Sequence, residues 1–156
     1  MPETDESLQK ITGFLRLSER IGTAGQPTAA QFPAIKAAGY EVVINLLPHS
    51  ELLPNEAEVA QAQGLEYTHI PVIWTSPTLD DFARFVQAME ANADRRVFIH
   101  CAANKRVSAF MYLYRILREN ASPEDAARDL HRLWTPNPIW QEFIAHVLAH
   151  YQGSGS

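Results

Sequence analysis

Short apolar runs along the chain predict the strands of a buried sheet. Residues 42–47 (VVINLL) are apolar and rich in β-branched side chains, a pattern typical of a buried strand. Residues 65–72 (LEYTHIPV) and 96–100 (RVFIH) predict two further strands, and residues 21–24 predict a short first strand. The stretches between them are long enough to hold helices, so the chain is expected to alternate the two kinds of element.

Capping residues and one-sided apolar stripes predict helices in those stretches. Asp81 lies three residues after Thr78, where a capping-box acid belongs, and Gly39 and Gly64 follow two helices as stop residues. The predicted helices run from Thr28 to Gly39, over 56–63 after Asn55, over 79–91 after Thr78, from Ser122-Pro123 onward, and from Asn137-Pro138 to about Tyr151.

The segment after Cys101 predicts a helix that is apolar almost all round. Its polar side chains form a narrow stripe of Ser108, Tyr112, Arg115 and Glu119. A helix with so little polar surface is buried, so this one is expected at the centre of the fold. Together with the alternating strands, it predicts an α/β fold: a three-layer sandwich with a short, mainly parallel central sheet flanked by helices.

Length, composition and charge narrow the class of protein. The 156 residues, 46% hydrophobic and 20% charged, predict one globular domain over residues 7–151, with flexible ends at 1–6 and 152–156. The net charge of −5, with scattered Lys and Arg, argues against a nucleic-acid partner. There is no apolar run of membrane-spanning length and no secretory signal, so we expect a cytoplasmic protein without a membrane partner.

Candidate chemistry lies where the strand 96–100 meets the buried helix, in the sequence IHCAANKRVSAF. Cys101, the single cysteine, is expected at the carboxyl end of a strand and just before a helix N-terminus. The loop Ala102, Ala103, Asn104 and Lys105 contains no proline, so its N–H groups can converge on an anion. Arg106 can hold two oxygens of that anion, and the same positive environment favours the Cys101 thiolate.

The chain resembles the cysteine-dependent protein tyrosine and dual-specificity phosphatases, in which His-Cys, a short loop, Arg and a helix follow one another. From about Thr12 to Ile144 it resembles more closely a bacterial family, the phosphatase-like domain of β-lactamase-hydrolase-like proteins. The matching pieces are TAGQPT (23–28), GYEVVINLLP (39–48), the helix near Glu56, YTHIPV (67–72), HCAANKRVSAF (100–110) and the stretch from Trp134 to Trp140.

The resemblance implies a tyrosine-phosphatase-like fold and a set of site residues. Cys101 would be the nucleophile and Arg106 the oxyanion binder, while His100 would support the loop through hydrogen bonds. The expected substrate is a phosphorylated small molecule or a phosphoprotein, with no cofactor and no metal. His146 and His150 have a spacing that can hold a metal, but no third ligand is in reach by sequence.

Two departures from the phosphatase pattern concern the loop itself. The phosphatases place five residues between Cys and Arg, whereas this chain has the four residues 102–105. They also place Ser or Thr directly after the Arg, where this chain has Val107. Ser108 follows one step later, about 100° further around a helix, and is the candidate for the supporting hydroxyl.

The general acid is the third departure. In the phosphatases an Asp about thirty residues before the Cys protonates the leaving oxygen. Ile73 and Trp74 occupy that place here, and Asp80 and Asp81 are the nearest acids. Asp81 is the candidate general acid, although a capping role explains it more simply.

Three functions remain open from the sequence. A phosphatase working through a phosphocysteine is preferred because of the His-Cys-to-Arg arrangement. A rhodanese-like sulfurtransferase carrying a persulfide on Cys101 is the alternative, since a short ring of N–H groups suits a single sulfur. The third is a catalytically inactive module that binds an anion through the same loop. The oligomeric state cannot be read from the sequence.

Overall fold

The computed structural model describes residues 2–153 and arranges them as alternating strands and helices. The helices are α1 (Pro2–Gln9), α2 (Phe32–Ala37), α3 (Glu56–Ala62), α4 (Leu79–Ala91), α5 (Lys105–Arg118), α6 (Pro123–His131) and α7 (Pro138–Gly153). The strands are β1 (Leu15–Arg16), β2 (Ile21–Ala24), β3 (Val42–Asn45), β4 (Glu66–His69) and β5 (Val97–His100). Two single 3₁₀ turns, Ala29–Gln31 and His49–Glu51, follow β2 and β3.

The five strands form one sheet in the order β1-β2-β5-β3-β4. Strands β2, β5, β3 and β4 are parallel to their neighbours, and the two-residue β1 pairs antiparallel with β2 at one edge. Strand β5 is therefore central, with His100 in register with Asn45 on one side and Ala24 on the other. Because the parallel strands share a direction, their carboxyl ends meet at one edge of the sheet.

Side chains of the central strands alternate between two apolar cores. Ile44 and Ile99 face a core built with α4, α5 and α7, whereas Val43 and Phe98 face a core built with α1, α2 and α3. This alternation follows from the period of two in a β-strand. The predicted three-layer α/β sandwich with a mainly parallel sheet is therefore confirmed.

Helix α5 is buried as predicted. Eight of its residues are buried, in the order Arg106, Val107, Ser108, Ala109, Phe110, Met111, Leu113 and Tyr114. It packs on the sheet beside α6 and α7 and is covered by aromatic side chains of α4 and α7. Since burial on this scale fixes the helix, its first turn is held rigidly at the carboxyl edge of the sheet.

The structure describes a helix near each end of the chain, where flexible segments were predicted. Residues 2–9 form α1, whose Leu8 is fully buried, where a flexible segment over 1–6 was predicted. The amphipathic signal of α1 is weak because its first turn is polar and acidic. At the other end α7 continues to Gly153, and the rest of the predicted flexible tail, 154–156, lies outside the described residues.

Within residues 2–153, no helix is both long enough and apolar enough to cross a bilayer.

Candidate active site

An open depression of about 280 Å³ lies where β5 ends and α5 begins. It is lined by Glu51, Trp74, Cys101, Ala102, Ala103, Lys105 and Arg106. Five of these residues were predicted from the sequence to share one anion site, and the structure brings them together. Glu51 and Trp74 come from segments that are distant along the chain, and neither side chain was singled out as a site residue from the sequence.

Cys101 sits at the floor of this depression, directly after β5. It is a free thiol with 1% of its surface exposed. Its N–H donates to the carbonyl oxygen of Ala24 at 3.2 Å, which extends the pairing of β2 and β5 by one residue. The sheet therefore fixes the backbone of the cysteine just before the N-terminus of α5.

The loop after Cys101 is tied to the segment that follows β2. Gly25 forms an isolated bridge with Ala103, and the N–H of Gln26 donates to the carbonyl oxygen of Ala102 at 3.0 Å. A Cβ on Gly25 would lie only 2.4 Å from that carbonyl oxygen. Only glycine permits this approach, which gives the Gly in TAGQPT a packing role.

Asn104 fixes the last step of the loop but does not line the depression. It adopts a left-handed backbone conformation, with φ 63°, and is fully buried. Its Nδ2 donates to the carbonyl oxygen of Gly13 at 2.8 Å and to Thr23 Oγ1 at 2.9 Å. Its own carbonyl accepts the N–H of Ser108 at 3.1 Å, which starts the hydrogen bonds of α5. The side chain predicted to contact an anion is thus a structural anchor.

Arg106 is held at the wall of the depression by three different groups. Its Nη1 donates to the carbonyl oxygen of Val72 at 2.9 Å, and its Nη2 donates to Glu51 Oε1 at 3.3 Å. The guanidinium carbon also lies 5.4 Å from the ring centroid of Trp74, a cation–π distance. A buried guanidinium fixed in this way presents its charge beside Cys101, where an oxyanion would be bound.

Lys105 takes a different position from Arg106. It is exposed at the start of α5, and its Nζ lies 5.7 Å from the ring centroid of Trp134. The ammonium group therefore stands at the rim of the depression, where it adds positive charge without being buried.

A buried polar network supports the cysteine from behind. His100 Nε2 lies 2.6 Å from Glu56 Oε2, and His100 Nδ1 lies 3.2 Å from the carbonyl oxygen of Cys101. Both His100 and Glu56 are almost completely buried. Glu56 Oε2 also accepts hydrogen bonds from Asn45 Nδ2 at 3.0 Å and from Tyr67 Oη at 2.9 Å, and Oε1 accepts one from Gln26 Nε2 at 2.8 Å.

This network changes the titration of its members. Burial by itself raises the pKa of Glu56, but the hydrogen bond and charge of His100, with hydrogen bonds from Gln26 and Tyr67, outweigh burial and lower it. Burial and the neighbouring Glu56 carboxylate raise the pKa of Tyr67. Glu56 is therefore a buried carboxylate whose charge is compensated by donors on three strands.

Glu56 was missed as a supporting residue because a lone Glu at a helix start normally indicates only favourable placement on the helix dipole. The available signal was the polar residue that closes each of three neighbouring strands. Asn45 ends β3, His69 ends β4 and His100 ends β5, and these residues are in register. Buried polar side chains need hydrogen-bond partners. Asn45 and His100 both find theirs in Glu56, whereas His69 contacts the carbonyl oxygen of Leu47.

The structure places the two remaining predicted residues, Ser108 and Asp81, in structural contacts. Ser108 Oγ donates to the carbonyl oxygen of Lys105 at 2.9 Å and accepts from Trp134 Nε1 at 3.0 Å. Asp81 forms a capping box with Thr78, whose N–H donates to Asp81 Oδ2 at 3.1 Å. Asp81 is not among the described residues that line the depression.

In the part of the chain that the structure describes, no group of three or more His, Cys, Asp or Glu side chains is arranged to hold a metal ion.

The fold is that of the dual-specificity and tyrosine phosphatase-like class. The family model described as "DSP-PTPase phosphatase fused to NAD+ Kinase" matches residues 14–142. The chain belongs to this family.

Relatives agree with that assignment. A β-lactamase hydrolase-like protein of Agrobacterium fabrum (strain C58) is 37% identical over 97 residues, which cover 59% of this chain and 22% of the relative. A Xylella fastidiosa (strain Temecula1) protein of the same name is 37% identical over 95 residues, again with 22% of its length covered. The chain thus spans about a fifth of the length of these curated relatives.

Solved structures extend the comparison to the fold. A candidate phosphatase of the DUF442 group from Shewanella putrefaciens CN-32 is 34% identical, with a TM-score of 0.84 and coverage of 94% of this chain and 97% of that one. The kinase-associated phosphatase is 16% identical, with a TM-score of 0.77 and coverage of 92% and 98%. At that identity the second likeness shows the fold alone.

Proposed function

We propose that this domain hydrolyses a phosphomonoester through a phosphocysteine on Cys101. The observation that carries the proposal is the placement of Cys101 and Arg106 in one depression at the start of α5. A thiolate at the positive end of a helix is a nucleophile at neutral pH, and a fixed guanidinium beside it can hold phosphoryl oxygens.

The proposed reaction has two steps. The Cys101 sulfur attacks phosphorus, the bond from phosphorus to the leaving oxygen breaks, and the alcohol or phenol departs with a proton. Water then attacks the phosphocysteine, and the sulfur–phosphorus bond breaks to release phosphate and restore the thiolate. Arg106 and the first N–H groups of α5, which have no intrahelical acceptor, stabilise the charge on the equatorial oxygens. The substrate is an aryl phosphate of the phosphotyrosine type or a small phosphorylated metabolite.

The deciding experiment measures turnover of nitrophenyl phosphate between about pH 5 and 8 by the wild-type domain and by Cys101→Ser. Wild-type turnover that falls to background in the variant is the expected result, because serine lacks the thiolate. Equal turnover in the two proteins would show that Cys101 is not the nucleophile. No turnover in either would overturn the phosphatase proposal for good leaving groups.

Sulfur transfer is the second candidate, and the four-residue spacing between Cys101 and Arg106 favours it. In that reaction the Cys101 thiolate takes the outer sulfur of thiosulfate, releases sulfite, and holds a persulfide. The persulfide sulfur is then passed to a thiophilic acceptor such as cyanide, giving thiocyanate. Thiocyanate formation by the wild type and not by Cys101→Ser, in a protein without phosphatase turnover, would select this function. If neither activity is found but both proteins bind inorganic phosphate, the domain is an anion-binding module.

A further inference from the structure

The segment that carries a general acid in the phosphatases has another use here. After β4, Ile73 is half exposed and Trp74 forms a wall of the depression. The carbonyl of Val72 accepts a hydrogen bond from Arg106, so this segment positions the guanidinium. It offers no acid, and Asp81 beyond it is engaged in the capping box of α4.

A carboxylic acid reaches the depression from a different strand end. Glu51 is the one acidic side chain among the described residues that line the depression with Cys101. Its Oε1 lies 3.3 Å from Arg106 Nη2, and 45% of the side chain is exposed. A carboxyl at this place faces any group bound between Cys101 and Arg106, and its exposed part can exchange protons with water.

The turn that carries Glu51 is anchored to the sheet. Glu51 ends the 3₁₀ turn His49–Glu51, and its N–H donates to the carbonyl oxygen of Pro48 at 3.0 Å. Just before this turn, the N–H of Leu47 donates to Asn45 Oδ1 at 2.9 Å, and its carbonyl oxygen lies 2.5 Å from His69 Nε2. Contacts to the ends of β3 and β4 therefore fix the backbone just before the turn that carries Glu51.

We propose that Glu51 is the general acid of the phosphatase reaction, an inference that rests on the proposed function. As the Cys101 sulfur bonds to phosphorus and the bond to the leaving oxygen breaks, that oxygen takes the electron pair and the Glu51 proton. The products of this step are the phosphocysteine, a neutral alcohol or phenol, and the Glu51 carboxylate. In the second step the carboxylate takes a proton from the attacking water, which restores the acid.

Charge balance explains how an ion-paired carboxylate becomes a proton donor. In the free domain the Glu51 carboxylate forms an ion pair with the Arg106 guanidinium. A bound phosphoryl dianion competes for the same guanidinium and brings two negative groups close together. A proton taken up from water through the exposed part of the side chain would remove this repulsion, and this is the proton that the proposed step transfers.

The test compares Glu51→Gln with the wild type on dinitrophenyl, nitrophenyl and phenyl phosphate. The measured quantity is kcat/KM, which reports phosphocysteine formation. Loss of a general acid has its largest effect on substrates with a basic leaving group, because such a group needs a proton in order to depart. We expect a loss of at least about 100-fold with phenyl phosphate and of less than about threefold with dinitrophenyl phosphate. Retained dinitrophenyl phosphate turnover also shows that the variant is folded.

Glu58→Gln is the matched control, since Glu58 is an exposed acid in the first turn of α3. It should match the wild type on all three substrates.

An equal loss across the series in Glu51→Gln would show that Glu51 only positions Arg106, and no loss would show that it is dispensable; either result overturns the proposal. The proposal is also overturned if Asp81→Asn, and not Glu51→Gln, shows a loss of kcat/KM that grows from dinitrophenyl to phenyl phosphate. If the wild type turns over none of the three substrates, the proposed function itself is overturned. A failure of the Glu51 proposal alone looks different, because the wild type is then active and only the pattern across the variants disagrees.

Discussion

Single polar side chains at the strand ends decide how Cys101 is held. Asn45 and His100 close neighbouring strands in register, and both contact the carboxylate of Glu56. A buried carboxylate is tolerated only when donors surround it, and four side chains donate to this one. Because His100 also contacts the carbonyl of Cys101, the network links the buried charge to the backbone of Cys101.

Replacing Glu56 by Gln should destabilise the domain in a pH-dependent way. The variant removes one partner of a buried pair, so we expect a loss of about 3 kcal/mol in the free energy of unfolding near neutral pH. The pKa of Glu56 is lowered in the folded state, so its stabilising contribution is complete above the ordinary value of 4.5 and lost as pH falls below it. Urea unfolding at stepwise lower pH should show the gap between wild type and variant shrinking.

The control for this series is Glu58→Gln on the same helix. Its side chain is exposed, so the change should stay within about 0.5 kcal/mol at every pH. A gap for Glu56→Gln that stays constant into the acid range would contradict the assigned direction of the pKa shift.

At the scale of elements, the junction of β5 and α5 is the feature that builds the site. Strand β5 ends at His100, three loop residues follow Cys101, and α5 begins at Lys105. The turn is tight because Asn104 adopts the left-handed conformation, and its amide is anchored to the segments beside β1 and in β2. The conformation and anchoring of Asn104 thus allow α5 to begin immediately after this short loop.

Asn104→Ala should weaken this junction strongly. Alanine adds a left-handed backbone cost of about 1–2 kcal/mol, and the lost side-chain hydrogen bonds leave buried groups unpaired at about 1–3 kcal/mol. We expect a total loss of about 3 kcal/mol in urea unfolding. Asn120→Ala is the matched control, since Asn120 has φ 56° but is exposed. It should lose about 1 kcal/mol, and equal losses in the two variants would refute the anchoring role.

At the scale of the whole molecule, the two cores on either face of the sheet support the site from both sides. The core with α4, α5 and α7 is dominated by aromatic rings around Phe110, which is fully buried. Its ring lies within 6.1 Å, centroid to centroid, of the rings of Phe82, Phe85, Trp140 and Phe143. This packing fixes α5, and through it the position of Arg106.

Phe110→Ala should therefore cost about 3–5 kcal/mol in the free energy of unfolding, because it leaves a cavity among close-packed rings. The measurement is urea unfolding, with a lower midpoint and an unchanged slope. Ile139→Ala serves as the control, since Ile139 is 42% exposed and should change stability by no more than about 0.5 kcal/mol. A loss below about 1 kcal/mol for Phe110→Ala would mean that the core collapses around the gap.

The local elements could be predicted because each carries its own periodic signal. The predicted strands 42–47, 65–72 and 96–100 are present as the shorter β3, β4 and β5, and the predicted helices are present close to their capping residues. Strand β1 has only two residues and is defined by its pairing with β2, so it is too short to give a strand pattern in the sequence. Helix α1 has a polar first turn and is held by Leu8 in a core that only the folded chain contains.

The sequence by itself singled out Cys101 and Arg106 as the candidate nucleophile and oxyanion binder, because they lie close together in the chain at a strand-to-helix junction whose local geometry is set by adjacent residues. Only the tertiary structure decided which groups surround them. Glu51 is 55 residues from Arg106 along the chain, and Glu56 is 44 residues from His100. These pairs meet because β5 lies beside β3 and parallel strands end at one edge, and that strand order depends on long-range packing.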